Sequence, residues 1–225
     1  MNKLKILFLL LILWNGQTAI SQSKWWVLPG TLVGLGVLAN NQSVKNLQTE
    51  IYNQSFSNFH TRIDDGLQYA PTLINIGLHI GSNQRKALVG KFIIGSIAYA
   101  GLTQGLKHSL QISRPNGGEN SFPSGHAATA FFGAHLLAKE FSQEKPWVPY
   151  LGYGLATSTA FLRMANNQHW MSDVLVGAGI GIGAAELSAY LYPILEKKWQ
   201  KKHAYTIEPV IGNQVYAMRI AWQLN

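Results

Sequence analysis

The chain has no cysteine. That excludes a disulfide framework, and it neither demands nor excludes an oxidising compartment. Charge is scarce too. Only 12% of the 225 residues are Asp, Glu, Lys or Arg, against about 25% in ordinary globular domains. So low a value points to helices that meet lipid, or to an unusually apolar bundle. Acid is scarcest of all, with 10 Asp and Glu against 18 Lys and Arg, a formal net charge of +8. A basic excess suits nucleic acid, anionic lipid or a phosphorylated substrate. Much of it is one run, Lys197, Lys198, Lys201 and Lys202, without interleaved aromatics. That pattern favours a membrane-flanking cluster and argues against nucleic acid. There is no evident internal repeat, and the histidines form no metal-ligand cluster.

Hydrophobic residues make up 47% of the chain. Lys3 and Lys5 precede a short apolar core, Ile6 to Trp14, and Ala19-Ile20-Ser21 offers small residues for cleavage. This is signal-peptide grammar, and the core is too short to span a bilayer. Residues 1–21 are therefore expected to be a signal peptide, 22–203 one helical domain and 204–225 a C-terminal tail. Apolar stretches near 27–39, 70–82, 88–106, 126–141, 148–165 and 173–195 predict an all-α bundle of about five to six core helices, embedded in a membrane. Counting from 70 to 195 gives five spans. The stretch 27–39, with Pro29, then cannot cross once, and is expected to lie in the interface or pack on the bundle. Gly177, Gly179, Gly181 and Gly183 suit close helix packing. The tail alternates weakly around Gly212-Asn213, which predicts a short hairpin.

Polar residues interrupt this pattern at particular places. Lys107 ends one apolar stretch, Arg114 follows, and Pro115 stops the helix. In "PSGH", Ser124 is a natural N-cap. The helix start it caps favours an anion. Gly125 lets the backbone approach a ligand, and His126 lies in the first turn. In "RMANNQHWMSD", Arg163 closes a helix. His169 and Asp173, four apart, share a helix face. Asp173 can take a hydrogen bond from one ring nitrogen and leave the other as a neutral nucleophile. Each piece alone is weak. Together they sit at corresponding ends of four consecutive helices, and in an up-down bundle those ends meet. Burying three cations, two histidines and one carboxylate without a ligand would be costly. A phosphate dianion would balance them.

"KHSLQISRP", "PSGH" and "RMANNQHWMSD" resemble the three signature blocks of the type 2 phosphatidic acid phosphatase and vanadium haloperoxidase superfamily. The blocks run from Lys107 to Asp173. One departure is Leu162, where the third block often has serine before its arginine; a hydroxyl contact is lost there, but no charge. The resemblance implies a metal-independent phosphatase without cofactor. Lys107, Arg114 and Arg163 would hold phosphate oxygens, with Ser124 and the Gly125 backbone adding hydrogen bonds. His169 would attack phosphorus, Asp173 would orient it, and His126 would protonate the leaving oxygen. A phosphorylated lipid, either a lipid phosphate or a polyprenyl diphosphate, is the implied substrate. The implied location is the bacterial inner membrane, with the site facing the periplasm. Arg85, Lys86, Lys139, Lys145 and the Lys197 run, at the opposite helix ends, fit that orientation by the positive-inside rule. The alternatives are a soluble periplasmic acid phosphatase, a vanadate-dependent haloperoxidase and a non-catalytic lipid-binding membrane protein.

Overall fold

The structure is a computed structural model that describes residues 26–82, 84–202, 205–212 and 215–222. The expected signal peptide, 1–21, lies outside the described residues. Eight helices and one hairpin make up what is described: α1 Val27–Ala39, α2 Gln42–Ser55, α3 Ile63–Leu67, α4 Ala70–Leu78, α5 Arg85–Leu110, α6 Gly125–Phe141, α7 Val148–Ala165, α8 Met171–Lys202, β1 Tyr205–Gly212 and β2 Val215–Trp222. The all-α expectation holds for the body of the chain. The strands pair antiparallel from Tyr205–Trp222 to Gly212–Val215, so the reversal falls where the sequence predicts it.

Helix ends follow local chemistry. Asn41 caps α2 by accepting from Val44 N at 3.1 Å, and Ser124 caps α6 by accepting from Ala127 N at 3.4 Å. These side chains satisfy N–H groups that a helix start leaves open. Pro149 sits in the first turn of α7, where a missing N–H costs nothing.

α6 is the centre of the bundle, packed against α8, α7, α4 and α5. The α8 glycines divide their work between two partners. A Cβ at Gly177 or Gly181 would collide with the carbonyl oxygens of Ser124 or Ala128 on the α6 side. One at Gly179 would strike Pro29 and Val33 of α1. The first pair lets α8 lie directly on α6 and draws their N-termini together; the other seats α1 on α8, where 27–39 packs on the bundle as expected. Leu88, Phe132, Leu136, Ala184 and Ala185 form one core cluster. Ala127, Ala160 and Val174 form another, beneath the helix ends that carry the sequence blocks.

Two expectations need correction. The stretch 70–82 is not a span. It yields the nine-residue α4, followed by a turn in which Gly81 takes φ +83. Nor do five helices qualify as spans: among the described residues, α5 and α8 are long and apolar enough to cross a membrane. These two differ in burial. Only 17% of the apolar window of α5 is buried, against 61% of that of α8. Val89, Ile93, Ile97 and Leu102 therefore face outward from α5.

A second polar cluster braces the bundle's interior. His135 bonds Glu186 at 2.7 Å and Tyr153 at 2.5 Å, and Lys139 donates to the other Glu186 oxygen at 2.8 Å. His135 is thus structural, held between Tyr153 and Glu186. Lys139, counted above among the basic helix ends, is bound to a buried acid. Partners on α6, α7 and α8 satisfy a charge that would otherwise be costly to bury.

Candidate active site

The loop from Gln111 to Ser124 carries the first two blocks and folds by its own backbone bonds. Gly117, at φ +85, makes the reversal that a side chain would disfavour. Arg114 N donates to Gly118 O at 2.7 Å, and Ser121 N to Ile112 O at 2.7 Å. The Arg114 guanidinium then donates to Glu119 O at 3.0 Å and Gln168 Oε1 at 2.7 Å. Lys107, in the last turn of α5, donates to Asn120 O at 2.5 Å. The loop is tied to the third block through Trp170, whose Nε1 donates to Ser113 O at 2.9 Å.

His169 and Asp173 meet as their spacing predicts, with Nδ1 and Oδ2 at 3.3 Å and both side chains almost fully buried. Asp173 is held from several sides. Its Oδ2 also accepts from Ser121 Oγ and, at 2.9 Å, from Trp170 N. Its Oδ1 accepts from Ser172 Oγ at 3.1 Å, and its backbone oxygen accepts from Ser124 N at 3.0 Å. So rigid a carboxylate fixes the imidazole it touches. Burial pushes His169 down to about 4; the bond to Asp173 opposes this, and Arg163 and Lys107 add to it. The ring is therefore neutral at pH 7, and Nε2 has no hydrogen-bond partner among the described residues. Burial, then the neighbouring Arg163, pulls Arg114 below its ordinary value, but an arginine remains a cation.

Of the predicted set, Lys107, Arg114, Arg163, His169 and Asp173 lie within electrostatic reach of one another. Arg163 also acts on His126, so it is the common neighbour of both imidazoles. Ser124 is fully buried, with its hydroxyl at the α6 N-terminus beside Gly125.

One expectation changes here. The cations are not balanced by Asp173 alone. Arg163 NH1 binds Asp64 Oδ2 at 2.6 Å and lies 3.6 Å from Asp65 Oδ1. Asp65 Oδ1 is also 3.0 Å from His126 Nε2. Asn166 locks the arrangement: its Nδ2 donates to Asp64 Oδ1 at 3.1 Å and Thr61 O at 2.9 Å, and its Oδ1 accepts from Thr61 N at 3.0 Å. Sequence reasoning missed Asp64, Asp65 and Asn166. A signal was present, because the chain has only three aspartates, and all three are at this site. It also missed Gln48 of α2, which donates to His169 O at 2.9 Å and accepts from Met171 N at 2.8 Å. The ligand atoms of Asp64, Asp65 and His126 all lie within 4.8 Å of one another, a spacing that can hold a metal ion. Arg163 already supplies a cation there, which works against a second one.

The Arg163 side chain is about nine-tenths buried, yet its Nε has no hydrogen-bond partner among the described residues. A buried donor left open costs free energy unless a ligand meets it. Fold and site together define an α-helical bundle whose helix ends gather three cations and two imidazole–carboxylate pairs. Residues 91–197 match the PAP2 superfamily. It is 34% identical over 166 residues to the Lipid A 1-phosphatase of Porphyromonas gingivalis, covering 68% of this chain and 37% of the relative. The chain thus spans little more than a third of that relative's length. In fold it is similar to Aquifex aeolicus LpxE, with TM-score 0.50, 22% identity, and coverage of 63% of this chain and 93% of that one. It is also similar to a transmembrane PAP2 type phosphatidylglycerolphosphate phosphatase from Bacillus subtilis, with TM-score 0.55, 18% identity, and coverage of 76% and 96%.

Proposed function

We propose that the chain is a membrane phosphatase that releases phosphate from a lipid through a phosphohistidine. The observation that carries this reading is the open Nε of buried Arg163, beside a neutral, buried His169. His169 Nε2 attacks phosphorus, and the phosphorus–oxygen bond to the lipid breaks. The leaving oxygen takes a proton from His126. Water then attacks phosphorus, His126 takes a proton from that water, and the bond to Nε2 breaks. Lys107, Arg114 and Arg163 stabilise the charge spread over the equatorial oxygens, the main demand in phosphoryl transfer. Ser124 and the Gly125 N–H add hydrogen bonds at the α6 N-terminus.

The outward apolar face of α5 supports a membrane setting, since a soluble core helix would bury it. The site then faces the periplasm, with Arg85, Lys86 and the Lys197 end at the cytoplasmic side. The name of the P. gingivalis relative makes the 1-phosphate of lipid A the first substrate to test. Purified wild type and His169→Asn would be offered that lipid, phosphatidic acid, a polyprenyl diphosphate and soluble phosphate esters. Wild type should release phosphate from a lipid, and the variant should lose at least about a thousandfold. Equal release by both would remove the nucleophile. Release from soluble esters alone would favour a soluble-type acid phosphatase.

A further inference from the structure

We infer that Asp65 is a positioning residue for His126, holding the imidazole by Nε2 and supporting its charged, proton-donating form. The inference rests on the phosphatase reading above.

The geometry divides two adjacent acids. Asp64 is 1% exposed and is committed to Arg163 and Asn166. It anchors α3, a helix too short to hold itself. Asp65, one residue on, is 57% exposed and meets His126 Nε2 at 3.0 Å. The anchor fixes where Asp65 stands, and Asp65 meets the ring. The charges facing His126 explain why the contact matters. Burial first, and then the Arg163 cation of α7, hold the ring below its ordinary value, and the α6 N-terminus adds a positive dipole end. All three disfavour an imidazolium. Asp65 and Asp64 of α3 are the acids acting on it, and Asp65, through its direct hydrogen bond, is the larger support for a protonated ring before substrate binds.

A general acid must start the cycle with its proton. With Nε2 held, Nδ1 is the nitrogen that gives a proton to the leaving oxygen. The ring is then neutral, and it recovers a proton from the water that attacks the phosphohistidine. The acid imidazole thus has a carboxylate, as the nucleophilic imidazole has Asp173. Because Asp65 is exposed, solvent screens the pair, and its effect should be well below that of losing His126.

The opposing reading is that Asp65 stands in for a substrate oxygen between His126 and Arg163. Removing it would then raise activity. The test compares wild type, Asp65→Asn and Asp65→Glu on an alkyl phosphate with a poor leaving group and an aryl phosphate with a good one. In parallel, the His126 ring is titrated by NMR. Asp65→Asn should lower kcat on the alkyl ester about tenfold, less than a whole general acid contributes. On the aryl ester kcat should change by less than about threefold, because a good leaving group needs little protonation. The His126 titration should move to lower pH, and Asp65→Glu should restore part of both effects. Equal losses on the two esters, a gain in activity with tighter phosphate binding, or an unmoved titration would overturn the inference. An inactive wild type would sink the phosphatase reading, while the titration would still judge the pair.

Discussion

The two imidazole–carboxylate pairs at this site are built in opposite ways. His169 and Asp173 are four residues apart at one helix start and almost wholly buried, and five further bonds hold the acid in place. His126 and Asp65 are 61 residues apart, joined across two helices and half in solvent. The first pair meets by local spacing, and bonds from Ser121 and Ser124 then make it rigid. The second exists only when α3 docks on α7. It depends on that docking, and therefore on Asp64.

The largest expected effect tests that dependence. Asp64→Ala leaves buried Arg163 NH1 with only its longer 3.6 Å contact to exposed Asp65, and breaking a buried pair costs about 3–5 kcal/mol. The variant should unfold at a clearly lower temperature in detergent. At temperatures where it stays folded, it should lose activity most on poor leaving groups, because Asp65 loses its anchor. A variant as stable as wild type would mean that α3 is held by Asn166 and Thr61 alone, and that the two pairs are less different than their connectivity implies.

A smaller effect separates the pairs by pH and salt. Burial holds His169 near 4 instead of the ordinary 6.5 or so. Its neutral, nucleophilic form then persists as pH falls, so the acid limb of kcat/KM belonging to this ring should lie near 4. The linked stability runs the same way. Between about pH 6.5 and 4 the unfolded chain takes up a proton that the folded one refuses, so stability falls as pH falls through that window. Below it both forms are protonated, and this contribution stops changing. Salt should leave that limb in place, because the ring and Asp173 are buried. The limb belonging to His126 should move with ionic strength, because its partner is exposed. Two limbs equally sensitive to salt would erase the contrast.

The same contrast explains what the sequence could tell. The His169–Asp173 pair, the arginine that ends α7 and the Ser-Gly-His helix start are all local patterns, and helix periodicity brings their ends together. The Gly212 reversal is local too. Asp64 and Asp65 were invisible because their partners lie 61 to 102 residues away, and no spacing rule reaches that far. Three charges seemed to need a phosphate because two of their acids were unseen. α2 was missed for a different reason. Its apolar stripe, Val44, Leu47 and Ile51, is thin within a polar sequence, and none of its residues is buried. The stretch 70–82 is too short to span because Gly81, at φ +83, turns the chain just after the nine-residue helix.

Polar α2 nevertheless reaches His169, the proposed nucleophile, and the smallest expected effect lies there. Gln48 donates to the carbonyl of His169 and accepts from the first N–H of α8, at Met171. That N–H is one a helix start leaves open, so a single side chain caps α8 and fixes the residue just before it. Lys45, on the same helix, lies 5.5 Å over the Trp170 ring between these two contacts. Gln48→Ala removes both hydrogen bonds, each worth about 0.5–1.5 kcal/mol. Not all of that reaches the transition state, because Asp173 still holds the ring. A fall in kcat of about three- to tenfold, with KM little changed, is the expected result. The fall should be the same for good and poor leaving groups, because the nucleophile serves both. Gln48→Glu keeps the acceptor for Met171 but loses the donor to His169, so it should fall between wild type and alanine if capping is the larger share. A loss confined to poor leaving groups would place Gln48 with the Asp65 pair instead, and the division between a local and a docked half of the site would fail.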